Sequence, residues 1–422
     1  MTAEHPSTDD LAEAAAGRPL DGLVVLDLTT ALAGPYATLL LAGLGATVVK
    51  VENPATGGDS SRNNSPYYGP EGLTVARGGD SDMSVSMMGR GRNKRSITLN
   101  LKDPRGRDTF LRLARGADVV VENYAAGTAD RLGIGYADVC AVNPAVIYTS
   151  ISGFGAGRPG KAMDSIVQAL SGVMFTAGDP GADPVRFGLP VGDLLAPLYA
   201  VIGTLAAKTH RDTTGQGQHV DVSMLGALTS LLSTEPFDAF QQVGLPLRTG
   251  NEVPRLAPFG IFPAKDGFLA LCGPTDTFAR GVFRALGRPE LIEDEDFATR
   301  DGRVRNADRL HAFIEDWSRS LPRAEAVAAL AAEGVPAAEV LEPADALRAP
   351  AVLEREEVVE LGHPEQGPTG LMGPGIPIRF SRSEARLDRP APHLGEHTAE
   401  LLARLGGLTE DEIALLRDEG VI

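Results

Sequence analysis

Cysteine and aromatic residues are scarce in this chain. Of 422 residues only two are Cys and one is Trp, and Phe, Tyr and Trp together make up 5%. Cys140 and Cys272 lie far apart, which provides neither a disulfide framework nor a metal-ligand cluster and fits a reducing compartment. Positive charge is also short, with 39 Lys and Arg against 56 Asp and Glu and a net charge of −17. That deficit disfavours DNA or RNA as a partner, because no cationic surplus exists to displace counterions from a phosphate backbone. An anionic small molecule stays compatible, since a few local cations suffice to hold one. No apolar run reaches the roughly 18 residues that suggest a membrane span, and the start carries acidic residues where a secretory signal carries basic ones. The expectation is a cytoplasmic protein with no nucleic-acid or membrane partner.

Several catalytic signatures are missing too. The G-x-G-x-x-G fingerprint does not follow the first apolar run, where "TTALAGPY" (29–36) stands instead. There is no Walker A loop, no G-x-S-x-G elbow and no H-E-x-x-H spacing, and the seven His are scattered. Dinucleotide, nucleoside-triphosphate, serine-hydrolase and metal chemistry therefore lose their usual support.

What is present alternates. "GLVVLDL" (22–28) reads as a strand, "PYATLLLAGLG" (35–45) as a helix and "ATVVKVE" (46–52) as a second strand. The unit recurs in "SITLNL" (96–101), "PRGRDTFLRLARG" (104–116), "ADVVVEN" (117–123) and "AVIYTSISG" (145–153), with "QHVDVSM" (218–224) as a later strand. Such alternation predicts an α/β fold with a doubly wound parallel sheet. Residues 53–95 are polar and glycine-rich and read as a long loop, 164–176 and 193–210 as helices, and residues 1–19 as disordered. After about residue 230 the composition shifts, with a hairpin turn at "AKDG" (264–267) and helices beyond it, which predicts a smaller second domain.

Two features invite chemistry. Asp193, in "FGLPVGDLLAPLYAVIGTLAAKTH" (187–210), precedes an apolar run, where it suits a helix cap, a catalytic carboxylate or both. Asp164 precedes another such run. "GRGRNKRS" (89–96) gathers Arg90, Arg92, Lys94 and Arg95, which suits a solvated loop and a phosphate landing site equally.

The stretches "VLDLTTALAGPYATLLLAGLGATVVKVENPATGGDSSR" (25–62), "GRNKRSITLNLKDPRGRDTFLRLARGADVVVENYAAGTADRLG" (91–133) and "GLPVGDLLAPLYAVIGTLAAKTHRDTTGQGQHVDVSM" (188–224) resemble family III CoA-transferases. The resemblance implies a large doubly wound α/β domain formed by both chain ends, a smaller α+β domain between them, and an interlocked homodimer. Its boundaries fall at 20–230 for the first part of the large domain, 231–250 for a linker, 251–337 for the small domain and 338–422 for a linker and the return.

The resemblance also implies roles. Asp193 is the nucleophile: it attacks a donor acyl-CoA to form an anhydride, and the released CoA thiolate then makes an aspartyl-CoA thioester. An acceptor carboxylate and a second return of CoA complete the exchange. Asn123, Tyr124, Arg131, Lys161 and Met224 hold CoA, joined by Arg92 and Lys94. No metal and no tightly bound cofactor is implied, since coenzyme A arrives as the acyl-CoA substrate.

Two departures narrow the activity. Leu32 stands where formyl/oxalate members carry Gln, and Met163 stands where the α-methylacyl-CoA racemases carry the His of their proton-transfer pair. The expected activity is a CoA-transferase moving CoA from an acyl-CoA, such as succinyl-CoA, to a small or medium carboxylic acid. A racemase or epimerase of the same fold and a non-catalytic CoA-binding homologue are the alternatives.

Overall fold

The structure is a computed structural model that describes residues 17–158 and 160–422. Most of the N-terminal stretch expected to be disordered lies outside the described residues.

The apolar runs pair as six parallel strands: β1 (Val24–Asp27), β2 (Thr47–Glu52), β3 (Lys94–Thr98), β4 (Val119–Glu122), β5 (Ile147–Ser152) and β6 (His219–Ser223). Their order across the sheet is β3-β2-β1-β4-β5-β6, every pairing parallel. That is the doubly wound order, in which the chain reverses direction between β1 and β4. The inner strands are continuous rather than alternating in hydrophobicity because both faces are covered, and all four residues of β1 and of β4 are buried.

Helix α1 (Ala33–Gly43) leaves the end of β1 with ten of its eleven residues buried. Short α2 (Val85–Arg90) leads toward β3, and amphipathic α3 (Pro104–Ala114) starts on the Asp103 cap. One face of the sheet packs Leu26, Val49, Ile97, Phe110 and Val120 together with Leu401, Leu402, Ile413 and Leu416 from the last two helices.

By internal contacts the chain divides into two compact units, the second made of Gly172–Phe187 and Ser233–Ala346. Gly172–Phe187 thus groups away from the segment 20–230 in which sequence order places it. In the second unit β7 (Phe259–Ala264) and β8 (Gly267–Cys272) form the expected hairpin, closed where Ala264 pairs with Gly267. β9 (Ala337–Glu339) adds to β8, and helices cover a core that includes Phe262, Phe283, Phe297, Leu310 and Leu330.

Three expectations are corrected. The 53–95 loop is largely ordered, with two 3-10 turns, the small antiparallel sheet of Tyr67–Gly69, Gly72–Thr74 and Met83–Ser84, and α2. The helix expected over 164–176 is broken: α4 (Asp164–Ser171) stops at Gly172, whose φ of 86° belongs to the left-handed region, and a short turn follows. The long helix α5 spans Val191–Thr214 and is long and apolar enough to cross a membrane by length and composition alone. It buries a stripe of Ala196, Pro197, Ala200, Val201, Thr204 and Ala207, and Thr204 bonds Thr149 of β5 at 2.7 Å.

Candidate active site

In open doubly wound sheets, ligands bind beyond the carboxyl ends of the strands where the winding reverses. A cavity of about 550 Å³ opens there. Thr30 and Ala31 line it from the end of β1, Asn123 and Tyr124 from the end of β4, and Ser152 from the end of β5. Asp193 and Met224, the latter opening α6 (Met224–Leu232), enter from the following helices, with Lys161 and Arg158 at another wall.

Asp193 is not the cap of its helix. α5 begins two residues earlier, so Asp193 occupies the first turn, and Pro190 at the cap position offers no side-chain acceptor. Asp164, at the start of α4, supplies the cap from another element: its Oδ1 accepts the amides of Gly192 at 2.8 Å and Asp193 at 3.4 Å. Its Oδ2 is held by Gln168 Nε2 at 2.7 Å. Gly192 permits this approach, since a Cβ there would sit 3.1 Å from Asp164 Oδ1. Pro197 brings no N–H to the Asp193 carbonyl one turn back, so the opening of α5 relies on these external contacts.

The electrostatics of Asp193 follow from this placement. Burial pushes its carboxyl up to about 6, and the neighbouring Asp164 charge adds to the rise while Arg90 opposes it. A carboxylate so raised is still mostly ionised near neutral pH and is more nucleophilic than a solvated one.

Behind the cavity lies a buried charge cluster that sets the Thr29–Ala31 crossing. Asp27 accepts from Thr38 Oγ1 at 2.7 Å and from Lys94 Nζ at 3.0 Å. Lys50 donates to the Thr29 carbonyl at 2.9 Å and pairs with Asp59 at 2.8 Å. Asp59 Oδ1 in turn takes the amide of Ala31 at 2.9 Å. Ala31 has a φ of 66°, costly for a residue with a Cβ and sustained by this over-determined surround. The Asn123 side chain completes the crossing, bonding Thr30 N at 2.8 Å and Thr30 O at 2.9 Å.

Asp193, Asn123, Tyr124, Lys161 and Met224 therefore meet around one cavity. Asn123 uses its amide on Thr30, so it shapes the wall. Tyr124 is partly buried with its phenol pushed up to about 12, chiefly by burial. Arg131 is exposed at the end of the turn Thr128–Arg131, while Thr128 and Leu132 line a second cavity of about 260 Å³ that shares Thr30 and Tyr124 with the first and also contains Lys102.

Arg92 and Lys94 do not join this group. Lys94 begins β3 with its side chain turned inward onto Asp27, Thr38 and the Pro35 carbonyl, and Arg92, 2% exposed, donates to the carbonyls of Gly89 and Pro374. Neither residue lines the cavity that Asp193 enters. Sequence reasoning also missed Arg158 and Lys102, single cations without a motif around them. Among the described residues no group of three His, Cys, Asp or Glu is placed to hold a metal.

A family profile described as CoA-transferase family III matches residues 20–398. Acetyl-CoA:oxalate CoA-transferase of Acetobacter aceti is 36% identical over 388 residues, covering 91% of this chain and 95% of that protein. Succinyl-CoA:mesaconate CoA-transferase of Haloarcula marismortui is 37% identical over 394 residues, covering 92% and 96%. Among solved structures, a CAIB/BAIF family protein from Brucella suis superposes with a TM-score of 0.79 at 34% identity, over 92% of this chain and all of that one.

Proposed function

The chain belongs to CoA-transferase family III, and from that premise we propose that Asp193 is the nucleophile through which this acyl-CoA:carboxylate CoA-transferase exchanges its substrates. One observation carries the assignment: Asp193 reaches into the cavity at the sheet's reversal point with its carboxyl pushed up to about 6 by burial and Asp164. Attack on the donor thioester carbonyl forms the anhydride and releases CoA thiolate. The thiolate takes the Asp193 acyl carbon, giving aspartyl-CoA and the free donor acid. The acceptor carboxylate then attacks aspartyl-CoA, and returning thiolate takes the acceptor acyl group and frees Asp193. Dividing the exchange this way lets each step proceed on an activated acyl group.

The remaining roles follow from position. The amide of Ala33 at the start of α1, where Leu32 at the cap offers no side-chain acceptor, lies at the same cavity and suits the transient oxyanion. Lys161 and Arg158 suit the phosphates of CoA, Tyr124 and Met224 its apolar and aromatic parts, and Lys102 with Arg131 its far end in and beside the adjoining cavity. Coenzyme A is thus substrate, and no tightly bound cofactor enters these steps. The acceptor we favour is a small carboxylic acid of the kind that oxalate and mesaconate exemplify in the relatives' names. Asp164 spends both oxygens on hydrogen bonds, and Met163 offers no base, so the two-base arrangement of a racemase finds no support.

Intact-protein mass spectrometry after incubation with a panel of acyl-CoAs tests the reading. A CoA-sized adduct on the peptide containing Asp193 is expected. An unmodified protein with every donor, while exchange is proceeding, would remove Asp193 from the covalent role.

The working unit we propose is a homodimer. On α5 Leu198 and Ile202 are 43% and 62% exposed, and on α4 Ile166 and Leu170 are 49% and 60% exposed, an apolar surface that a second copy would cover. Light scattering should give twice the 44.2 kDa chain mass; a single-chain mass at working concentrations contradicts it.

A further inference from the structure

Gln168 lies one turn after Asp164 on α4, is 0% exposed, and has no role in the steps above. Its amide nitrogen donates to two acceptors on different elements, Asp164 Oδ2 at 2.7 Å and the carbonyl of Leu189 at 3.1 Å. Leu189 stands just before Pro190, the cap position of α5, and its carbonyl also takes the amide of Val191 at 2.8 Å. On an exposed helix a Gln and an Asp four residues apart form a minor stabilising pair. Here the pair is buried and tied to the segment that leads into the helix of Asp193.

Each oxygen of Asp164 thereby has its own task. Gln168 pins Oδ2, which leaves Oδ1 turned to the amides of Gly192 at 2.8 Å and Asp193 at 3.4 Å. Pro190 supplies no cap to α5, and Pro197 brings no N–H to the Asp193 carbonyl, so the first turn of α5 depends on how Asp164 is aimed. We propose that Gln168 is a positioning residue for the reaction: by fixing Asp164 across the start of α5 it sets the direction of the Asp193 carboxylate and keeps a second negative charge beside it. The inference rests on Asp193 being the covalent residue. Attack requires a carboxylate oxygen held against the thioester carbonyl, and a misplacement of about 1 Å costs about 10²-fold in rate. The charged groups that bear on Asp193 are Asp164 on α4, which disfavours its ionised form, and Arg90 on α2, which favours it, with Lys161 and Arg158 lining the same cavity. Loosening Asp164 therefore changes both the geometry and the pH dependence of the attack.

The test measures single-turnover CoA loading by intact mass, and steady-state exchange over pH 4–8, for wild type, Gln168→Met, Asp164→Asn and the double variant. Gln168→Met keeps the length of the side chain without its donor. Loading and kcat should fall about 10- to 100-fold in it, with the acyl-CoA KM changing far less. The acid limb of kcat/KM, at about pH 6 in wild type, should move to lower pH as the Asp164 charge leaves Asp193. In the Asp164→Asn background the same substitution should add no more than about twofold and move the limb no further, because Gln168 acts through that carboxylate. Gln168→Asn, which draws the amide back by one methylene, should show the same changes in smaller measure and replaces Gln168→Met if that variant does not fold. A lower melting temperature with unchanged kcat and an unmoved limb makes Gln168 purely structural and overturns the proposal, as do effects that multiply freely with those of Asp164→Asn. If wild type exchanges without any loading, the covalent reading fails and this inference fails with it; loading in wild type together with wild-type kinetics in the Gln168 variants overturns the inference alone.

Discussion

Asp193→Asn is expected to lower the rate of CoA exchange by about 10⁴-fold or more, because a nucleophile cannot be replaced by its neighbours, and at the same time to stabilise the protein. The second effect follows from linkage. The folded-state pKa of about 6 lies above the ordinary 3.8, so the folded chain binds more protons than the unfolded one between those values. Stability from this group is therefore gained as pH falls through about 6 toward 3.8, and above that range the ionised carboxylate is a net cost of folding. Asparagine carries no such cost. At pH 7 the variant should melt about 1–3 °C higher, and the difference should vanish near pH 4, where the wild-type group is neutral as well. In wild type, kcat/KM for acyl-CoA should fall as pH drops below about 6, as the attacking carboxylate is protonated. Exchange rates and thermal unfolding on the two proteins over pH 4–8 check all of this. A variant less stable than wild type at pH 7 would show that the Asp193 carboxylate is held by favourable contacts, contrary to its raised pKa.

Asp27→Ala is expected to cost about 3–5 kcal/mol of unfolding free energy, the usual penalty for removing one partner from a buried ion pair. Asp27, Lys50 and Lys94 are 0%, 1% and 4% exposed. Burial alone would raise the Asp27 carboxyl, but Lys50, Lys94 and the hydroxyls of Thr29 and Thr38 outweigh it and hold it well below the usual carboxylate range. Its stabilisation is therefore present above about pH 4 and is lost as pH falls, the opposite sign to Asp193. Burial is also the largest influence on Lys94, pushing its ammonium down to about 8, with Asp27 only partly opposing. Without Asp27 that lysine has its principal counter-ion removed. Pairing Asp27→Leu with Lys94→Met should recover part of the loss, because a buried pair replaced by apolar groups is tolerated far better than a broken one. Urea unfolding of the single and double variants measures both. A single variant with the wild-type midpoint would show that the cluster contributes nothing to folding. Activity should fall in the single variant as well, since Thr29 to Ala31 hang from the same cluster and Thr30 and Ala31 line the cavity that Asp193 enters.

Much of this protein is legible along the chain. The six strands and the helices between them follow from periodicity, because a parallel sheet buried on both faces demands long apolar runs and its crossovers demand amphipathic helices. Asp193 stands out by its motif, and the residues around "VENY" mark the end of a strand, which is where such sheets bind ligands. The cation run did not decode in the same way. In "GRGRNKRS" four positive charges look alike, yet Lys94 turns inward to Asp27, Arg92 to backbone carbonyls, and Arg90 keeps an enclosed Nε without a hydrogen-bond partner.

The sequence by itself determined the strand and helix pattern and a shortage of positive charge that disfavours nucleic acid. These depend on composition and on neighbours within a turn or a strand. Only the tertiary structure decided what each charged group does. The cap on the Asp193 helix comes from Asp164, 29 residues away, and the counter-ion of Lys94 from Asp27, 67 residues away. Charge is felt through space and is governed by burial, so the raised pKa of Asp193 and the interior role of Lys94 arise when strands and helices distant in sequence are packed together.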